Sequence, residues 1–311
     1  MHLHTLRPRG ACIKFLLLCT LLTAVLGCAS KDKKKERDTE QALYEQVQSL
    51  LDSSSWTAAI EALQLLEEYY PFGSYAEQAQ LDLIYAYYRT SENDAAIAAA
   101  DRFIRLHPRH RNVDYAYYMR GIASFYNESV FSSFFPTDYT TRDPGSARDS
   151  FDYFSSLITR YPESAYVPDA KQRMIYLRNT IARGEINVAN YYFKRGAYLA
   201  AANRGRWVVE NLQETPAVPD ALAVMAQAYQ LLGMRDLSSD AVKVLSYNFP
   251  GHPALKNGEF DFQFGREKKR SLVSKLTFGL FDQDPTIKFD TRRRYNRMYP
   301  GAERASPPPE A

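Results

Sequence analysis

The chain has 311 residues, 24% of them charged, with a net charge of +3 and an aromatic fraction raised by 23 tyrosines and 17 phenylalanines. That length suits one extended array or two compact domains. Three cations near the amino end, Arg7, Arg9 and Lys14, account for the excess charge, so the remainder is near neutral and a nucleic-acid partner gets no support.

The apolar run Phe15-Leu16-Leu17-Leu18-Cys19-Thr20-Leu21-Leu22-Thr23-Ala24 is too short to span a bilayer and leads into Val25-Leu26-Gly27-Cys28. A small residue directly before a cysteine is the cleavage pattern of a bacterial lipoprotein, which makes residues 1–27 a signal peptide and Cys28 the lipidated first residue of the mature chain. The competing reading is an ordinary cleaved signal beside a free cysteine, or an uncleaved anchor, and Leu26 stands where a smaller residue is usual. Cysteine use favours the lipid: Cys12 and Cys19 fall in the removed segment and none follows Cys28, so no disulfide can form. Ala29, rather than Asp, follows the cysteine and points to the outer membrane, with the soluble part in the periplasm. Residues 28–40 include the charged run from Ser30 to Asp38 and read as a flexible tether.

Four amphipathic stretches then close on proline: Glu67-Glu68-Tyr69-Tyr70-Pro71, Ile104-Arg105-Leu106-His107-Pro108, Leu157-Ile158-Thr159-Arg160-Tyr161-Pro162 and Leu245-Ser246-Tyr247-Asn248-Phe249-Pro250. Twelve, eight and five residues before each proline stand a small residue and two apolar ones: Ala59, Leu63, Leu66; Ala96, Ala100, Phe103; Ser150, Phe154, Leu157; and Ser238, Val242, Leu245. This is the tetratricopeptide skeleton, and the step of 37 from Pro71 to Pro108 is near the usual repeat length. The small residue lets two helices of a hairpin approach, the larger ones meet the next hairpin, and proline stops the second helix.

The fold class is therefore all-α, a superhelical solenoid of about five helical hairpins over residues 41–250. Surplus residues between Pro108 and Pro162 mark an insertion at about 129–145. The fourth repeat is the least regular, with helices expected over Val167–Ala182, Glu185–Lys194 and Tyr198–Leu212 and breaks at Gly184 and Gly196. Gln213 takes its proline slot, and Pro216 comes three later. The fifth repeat is expected over Pro219–Leu232 and Leu237–Tyr247 with a turn at Gly233. Residues 251–311 are a basic extension, ending in Ser306-Pro307-Pro308-Pro309, and expected to be largely disordered.

At these residues the chain resembles the BamD family, the lipoprotein subunit of the outer-membrane β-barrel assembly machinery. The most specific stretch is Tyr70-Pro71-Phe72-Gly73 through Gln80-Leu81-Asp82-Leu83-Ile84-Tyr85-Ala86-Tyr87-Tyr88. Further matches are the run from Ala99 to Leu106, Asp114-Tyr115 with Tyr118-Met119-Arg120-Gly121, Phe134-Phe135 with Arg142-Asp143-Pro144, and Tyr191-Tyr192 with Arg195-Gly196-Ala197 and Asn203-Arg204. The resemblance spans about Gln41 to Pro250 and implies a five-repeat superhelix anchored at the outer membrane. It further implies that N-terminal repeats recognise unfolded outer-membrane β-barrel proteins, while C-terminal repeats bind the periplasmic domains of BamA and the accessory Bam lipoproteins. The missing proline of the fourth repeat and the basic extension depart from the family pattern.

Asp82, Tyr85 and Tyr88 fall on one side of a predicted helix while Tyr87 points elsewhere. With Tyr70 and Phe72 they form a candidate substrate-peptide groove, since tyrosine offers apolar area with a hydrogen-bonding tip. Packing between repeats is the competing use of the tyrosines, and an internal hydrogen bond is the competing use of Asp82. Tyr191, Tyr192, Arg195 and Arg204 are candidate partner-binding residues, Arg195 through a carboxylate on BamA; a solvated or internal pair is the alternative. Phe131, Phe134 and Phe135 of the insertion either dock on another subunit or pack back. Leu272, Val273, Leu276, Phe278, Leu280 and Phe281, set among basic residues, read as an amphipathic element for a membrane surface or as disorder.

No catalytic site is expected, since the chain has no HExxH, GxSxG or phosphate-binding glycine loop and its mature histidines are only His107, His110 and His252. His107 and His110 straddle Pro108 with no further ligand evident, so neither a metal nor another cofactor is expected. Besides barrel assembly, one other role stays open: a tetratricopeptide lipoprotein that organises periplasmic cell-wall enzymes.

Overall fold

The computed structural model describes residues 39–126, 145–267 and 286–291. Ten helices follow one another there: α1 (Glu40–Asp52), α2 (Trp56–Tyr69), α3 (Ala76–Arg89), α4 (Asn93–Leu106), α5 (Val113–Tyr126), α6 (Gly145–Arg160), α7 (Val167–Lys194), α8 (Tyr198–Asn211), α9 (Val218–Leu231) and α10 (Arg235–Asn248). Each packs against its neighbours in sequence, and α3 also meets α5 while α7 meets α9. The chain is thus an all-α solenoid of five hairpins, with odd-numbered helices meeting along one face.

Local chemistry explains both kinds of turn. Inside each hairpin whose turn is described, one residue in the left-handed region closes the first helix: Ser54 (φ 55°), Ser91 (φ 62°), Gly196 (φ 70°) and Gly233 (φ 74°). At Gly196 the paired bonds Ala197 N to Tyr192 O and Gly196 N to Phe193 O satisfy the last carbonyls of α7. At the end of a hairpin the residue after the second helix leaves the helical region instead: Tyr70, His107 and Phe249 have φ between −126° and −137° with ψ of 55° to 57°. Each precedes a proline, whose ring disfavours helical geometry in the residue before it. Leu212 takes the same shape, φ −130° and ψ 44°, although Gln213 follows it.

The skeleton residues form the core as expected. Ala59, Ala96, Ser150 and Ser238 are buried together with Leu63, Leu66, Phe103, Phe154, Leu157 and Leu245. Both serines donate to a backbone carbonyl of the preceding helix, Ser150 to Gly121 at 2.9 Å and Ser238 to Ala226 at 2.8 Å. Small size therefore permits the approach, and the hydroxyl fastens it.

The fourth repeat departs from expectation. Gly184 does not break the chain, because α7 runs for 28 residues through it. A helix-interior glycine costs only about 1 kcal/mol, and its flanking residues hold the segment in place. Arg183 pairs with Asp220 on α9, and Glu185 receives Arg148 from α6 and Arg204 from α8.

Pro250 is not the end of the described structure. Short strands β1 (Leu255–Lys256) and β2 (Glu259–Phe260) form one antiparallel pair, and β3 (Arg266–Glu267) and β4 (Thr286–Ile287) another. Phe260 and Phe289 are buried in the core of the last two repeats. The extension thus shields the apolar end of the solenoid, as terminal repeats otherwise do. Residues 127–144, which hold the insertion expected at about 129–145 apart from Gly145 at the start of α6, lie outside the described residues, as do Cys28 with the signal and most of the tether, and residues 268–285 and 292–311.

Candidate peptide-binding and partner-binding faces

Asp82 stands on α3 between buried Leu81, Leu83 and Ile84. Its Oδ1 accepts from Gln78 Nε2 at 2.8 Å, and its Oδ2 accepts from the Tyr44 hydroxyl at 3.4 Å and Gln48 Nε2 at 3.3 Å, both on α1. Burial raises the carboxyl pKa above its ordinary value, against the pull of those three hydrogen bonds. The Tyr44 hydroxyl is pushed up to about 12, by burial first and then by the Asp82 charge. Asp82 therefore latches the first hairpin to the second, which is the internal role weighed from sequence.

It also faces a cavity of about 550 Å³ whose walls include Tyr85, Arg111, Asp114, Tyr115 and Tyr166. Asp114 accepts from the Ser164 hydroxyl at 2.7 Å, tying the loop before α7 to α5. Behind the walls, the Tyr166 ring lies 5.8 Å from Tyr115 and stacks on Tyr118 at 4.6 Å. The Tyr118 hydroxyl donates to Asp169 at 2.8 Å, and buried Arg173 holds that carboxylate at 2.6 Å. Burial drives the Tyr115 and Tyr118 hydroxyls upward, for Tyr118 with added help from Asp169. They stay neutral, so the cavity offers aromatic walls, two carboxylates and one exposed guanidinium, a lining suited to mixed apolar and polar polypeptide.

The five groove candidates do not all meet. Asp82 and Tyr85 line the cavity together. Tyr85 is also the edge partner of Trp56 at 5.6 Å and accepts from Arg89 at 2.7 Å, whose guanidinium lies 4.4 Å over Trp56. Tyr88 turns to Tyr126, 5.9 Å away, and belongs to the core beside α5. Tyr87 faces the first hairpin and accepts from Gln64 at 2.8 Å. Tyr70 and Phe72 sit in the turn between α2 and α3 and do not line the cavity; Phe72 is 99% exposed. In that turn Glu40 accepts from Tyr75 N at 2.8 Å, and a Cβ on Gly73 would overlap the Glu40 carboxylate.

At the far end of α7, Arg195 caps the helix through its backbone N–H, 3.1 Å from the carbonyls of Tyr191 and Tyr192. Its side chain is exposed and has no ion pair among the described residues. Tyr191 and Leu199, 56% and 53% exposed, flank it. Arg204 differs: it pairs with buried Glu185 at 3.0 Å and lies 5.9 Å over the Tyr192 ring. Tyr191 and Arg195 are thus open to a partner, while Tyr192 and Arg204 are engaged within the chain.

Sequence reasoning missed Glu77, which reaches His107 at 3.1 Å and His110 at 3.5 Å from one turn into α3. The trio fastens the loop after α4 to α3, and no group among the described residues is arranged to hold a metal ion. It also missed Tyr115 and Asp114 as cavity walls, although their one-turn spacing with Tyr118 is visible in the sequence.

Residues 36–245 match the family YfiO, described as outer membrane lipoprotein. The chain belongs to that family. It is 41% identical over 249 residues to the outer membrane protein assembly factor BamD of Neisseria meningitidis serogroup A, covering 78% of this chain and 93% of that protein. Against BamD of Xylella fastidiosa strain Temecula1 identity is 36% over 246 residues, or 78% of this chain and 84% of the relative. Against BamD of Vibrio cholerae it is 36% over 228 residues, or 73% and 95%. No helix among the described residues is long and apolar enough to cross a membrane.

Proposed function

We propose that this YfiO-family chain is a non-enzymatic lipoprotein subunit of the outer-membrane β-barrel assembly complex, held by lipid on Cys28 at the periplasmic face of the outer membrane. The observation that carries this reading is the 41% identity to an outer membrane protein assembly factor over 93% of that protein's length. In the finer reading, the N-terminal repeats hold segments of unfolded barrel proteins at the cavity of Asp82, Tyr85 and Tyr115. The aromatic and carboxylate lining supports that use. The C-terminal repeats bind BamA through Arg195 and Tyr191, supported by their exposure and by the absence of an internal ion pair at Arg195 among the described residues. Accessory lipoproteins dock on the same half.

Depletion tests the reading: assembled barrels should fall and unfolded ones accumulate, whereas normal barrels with altered cell-wall crosslinking would favour the cell-wall scaffold. Photoreactive residues at Tyr85 and Arg195 test the two faces, the first expected to capture unfolded barrel proteins and the second BamA. Arg195→Glu with unchanged BamA co-purification would remove the Arg195 arm alone. Cys28→Ala should weaken assembly by lowering local concentration while leaving BamA binding in solution.

A further inference from the structure

Residues 286–291 run extended across α7 and α9, and the way they are held differs from helix packing elsewhere in the chain. On one edge, β4 pairs with β3 and Lys288 N donates to Gly265 O at 2.8 Å. On the other, the Asn190 side chain grips a single residue of main chain twice: its Oδ1 accepts from Phe289 N and its Nδ2 donates to Phe289 O, both at 2.8 Å. The Phe289 ring is fully buried, 5.9 Å from Phe193 and 6.0 Å from Phe264. Two residues on, Thr291 N and Oγ1 donate to the Asp220 carboxylate at 3.2 and 2.6 Å.

Most of these bonds end on backbone atoms, which is how an extended peptide is held whatever its sequence. Three side chains enter on one side of the extended strand: Ile287 packs against the core of the last repeats, Phe289 fills an aromatic socket, and Thr291 takes a hydroxyl seat. Asp220 keeps Arg183 and His252 when Thr291 is taken away, so the seat remains a compensated carboxylate without its occupant. Gly265 marks how close the strand lies, since a Cβ there would sit 2.6 Å from Lys288 O.

We propose that α7 and α9 form a peptide-binding site, separate from the cavity between α3 and α5, for an extended segment of pattern apolar-x-aromatic-x-Ser/Thr. Residues 287–291 fill it in cis, and a partner segment of the same pattern displaces them. Tethering gives the cis segment an effective concentration of about millimolar order, so a competitor must bind strongly or arrive locally concentrated. The proposal does not rest on the assembly reading.

The test uses the full chain and a fluorescent peptide with the sequence of residues 285–292. Phe289→Ala, which empties the socket, should bind the peptide roughly tenfold or more tightly than the unaltered chain. Adding Asn190→Ala should remove that gain, and a peptide lacking the phenylalanine should not bind. Thr291→Val loosens the cis segment by another contact and serves if Phe289→Ala fails to fold by circular dichroism. In the unaltered chain, saturating peptide should speed amide exchange at 287–291. Equal peptide affinity for the unaltered and loosened chains, or a gain insensitive to Asn190→Ala, would show the segment to be a fixed structural cap and overturn the proposal.

Discussion

Arg183 Nη1 lies 2.5 Å from Asp220 Oδ2 with both side chains shielded from water, 6% and 0% exposed. His252 at 3.2 Å and Thr291 at 2.6 Å complete the set around Asp220 Oδ1, so one carboxylate joins α7, α9 and two parts of the extension. Burial alone would raise its pKa, but His252, Arg183 and Thr291 together hold it well below the ordinary carboxylate range. A depressed folded pKa contributes stability that is fully present above the unfolded value near ~3.9 and is lost as pH falls through the folded one. Asp220→Asn leaves a buried guanidinium without its counter-charge and should cost about 3–5 kcal/mol at pH 7. Urea denaturation should also find a shallower loss of stability in the variant than in the unaltered chain below about pH 4. A variant within about 1 kcal/mol of the unaltered chain would mean that the network is replaceable.

Ser54 and Ser91 occupy the same left-handed turn position as Gly196 and Gly233. A side chain there meets the following carbonyl, a strain that glycine lacks. Ser54→Gly and Ser91→Gly should therefore each stabilise the chain by about 0.5–1 kcal/mol, against the usual direction of a substitution to glycine. Thermal melting decides, and a lowered midpoint for both would refute the strain argument.

Gln213 is the proline slot of the fourth repeat, and Leu212 before it already has the shape that its counterparts take before proline. Its backbone N–H makes no bond in the turn, where Leu212 N and Thr215 N are the donors. Gln213→Pro should stabilise by about 0.4–1 kcal/mol by restricting the unfolded chain. Destabilisation would show that the fourth turn differs from the others in a way its dihedral angles do not reveal.

The same turn shows what the sequence can convey. Counting twelve, eight and five back from Gln213 reaches Ala201, Gly205 and Val208, all buried, so the repeat is complete without its proline. Gly205 stands where the other repeats have a larger residue, and a Cβ there would be 2.7 Å from the Ala221 carbonyl, which marks a closer approach of α8 to α9. Periodicity thus revealed the hairpins, because each depends on residues a turn apart. It failed at Gly184, where distant ion pairs override a weak local preference. It also failed at Asn190, Asp220 and Thr291, whose partners lie up to 99 positions away and leave no periodic trace. At the candidate cavity it found the α3 side, Asp82 and Tyr85, and missed the α5 side for the same reason.

Asp82 offers a way to separate stability from binding. Its pKa is raised because burial penalises the charge more than Gln78, Tyr44 and Gln48 relieve it. An acid with a raised folded pKa makes the fold most stable when protonated, and stability declines as pH rises through the folded value. The charged form is therefore the less favourable one in the fold. Asp82→Asn keeps the shape, accepts from Gln78 through its oxygen, and can donate to the Tyr44 hydroxyl. The variant should match or exceed the unaltered chain in thermal stability at pH 7, and the difference should vanish on acidification. If the carboxylate serves bound polypeptide, photocrosslinking of unfolded barrel proteins from Tyr85 should nevertheless fall. Undiminished crosslinking by a stable variant would leave Asp82 as a latch between hairpins and nothing more, and a marked loss of stability would show that the three hydrogen bonds outweigh the burial of the charge.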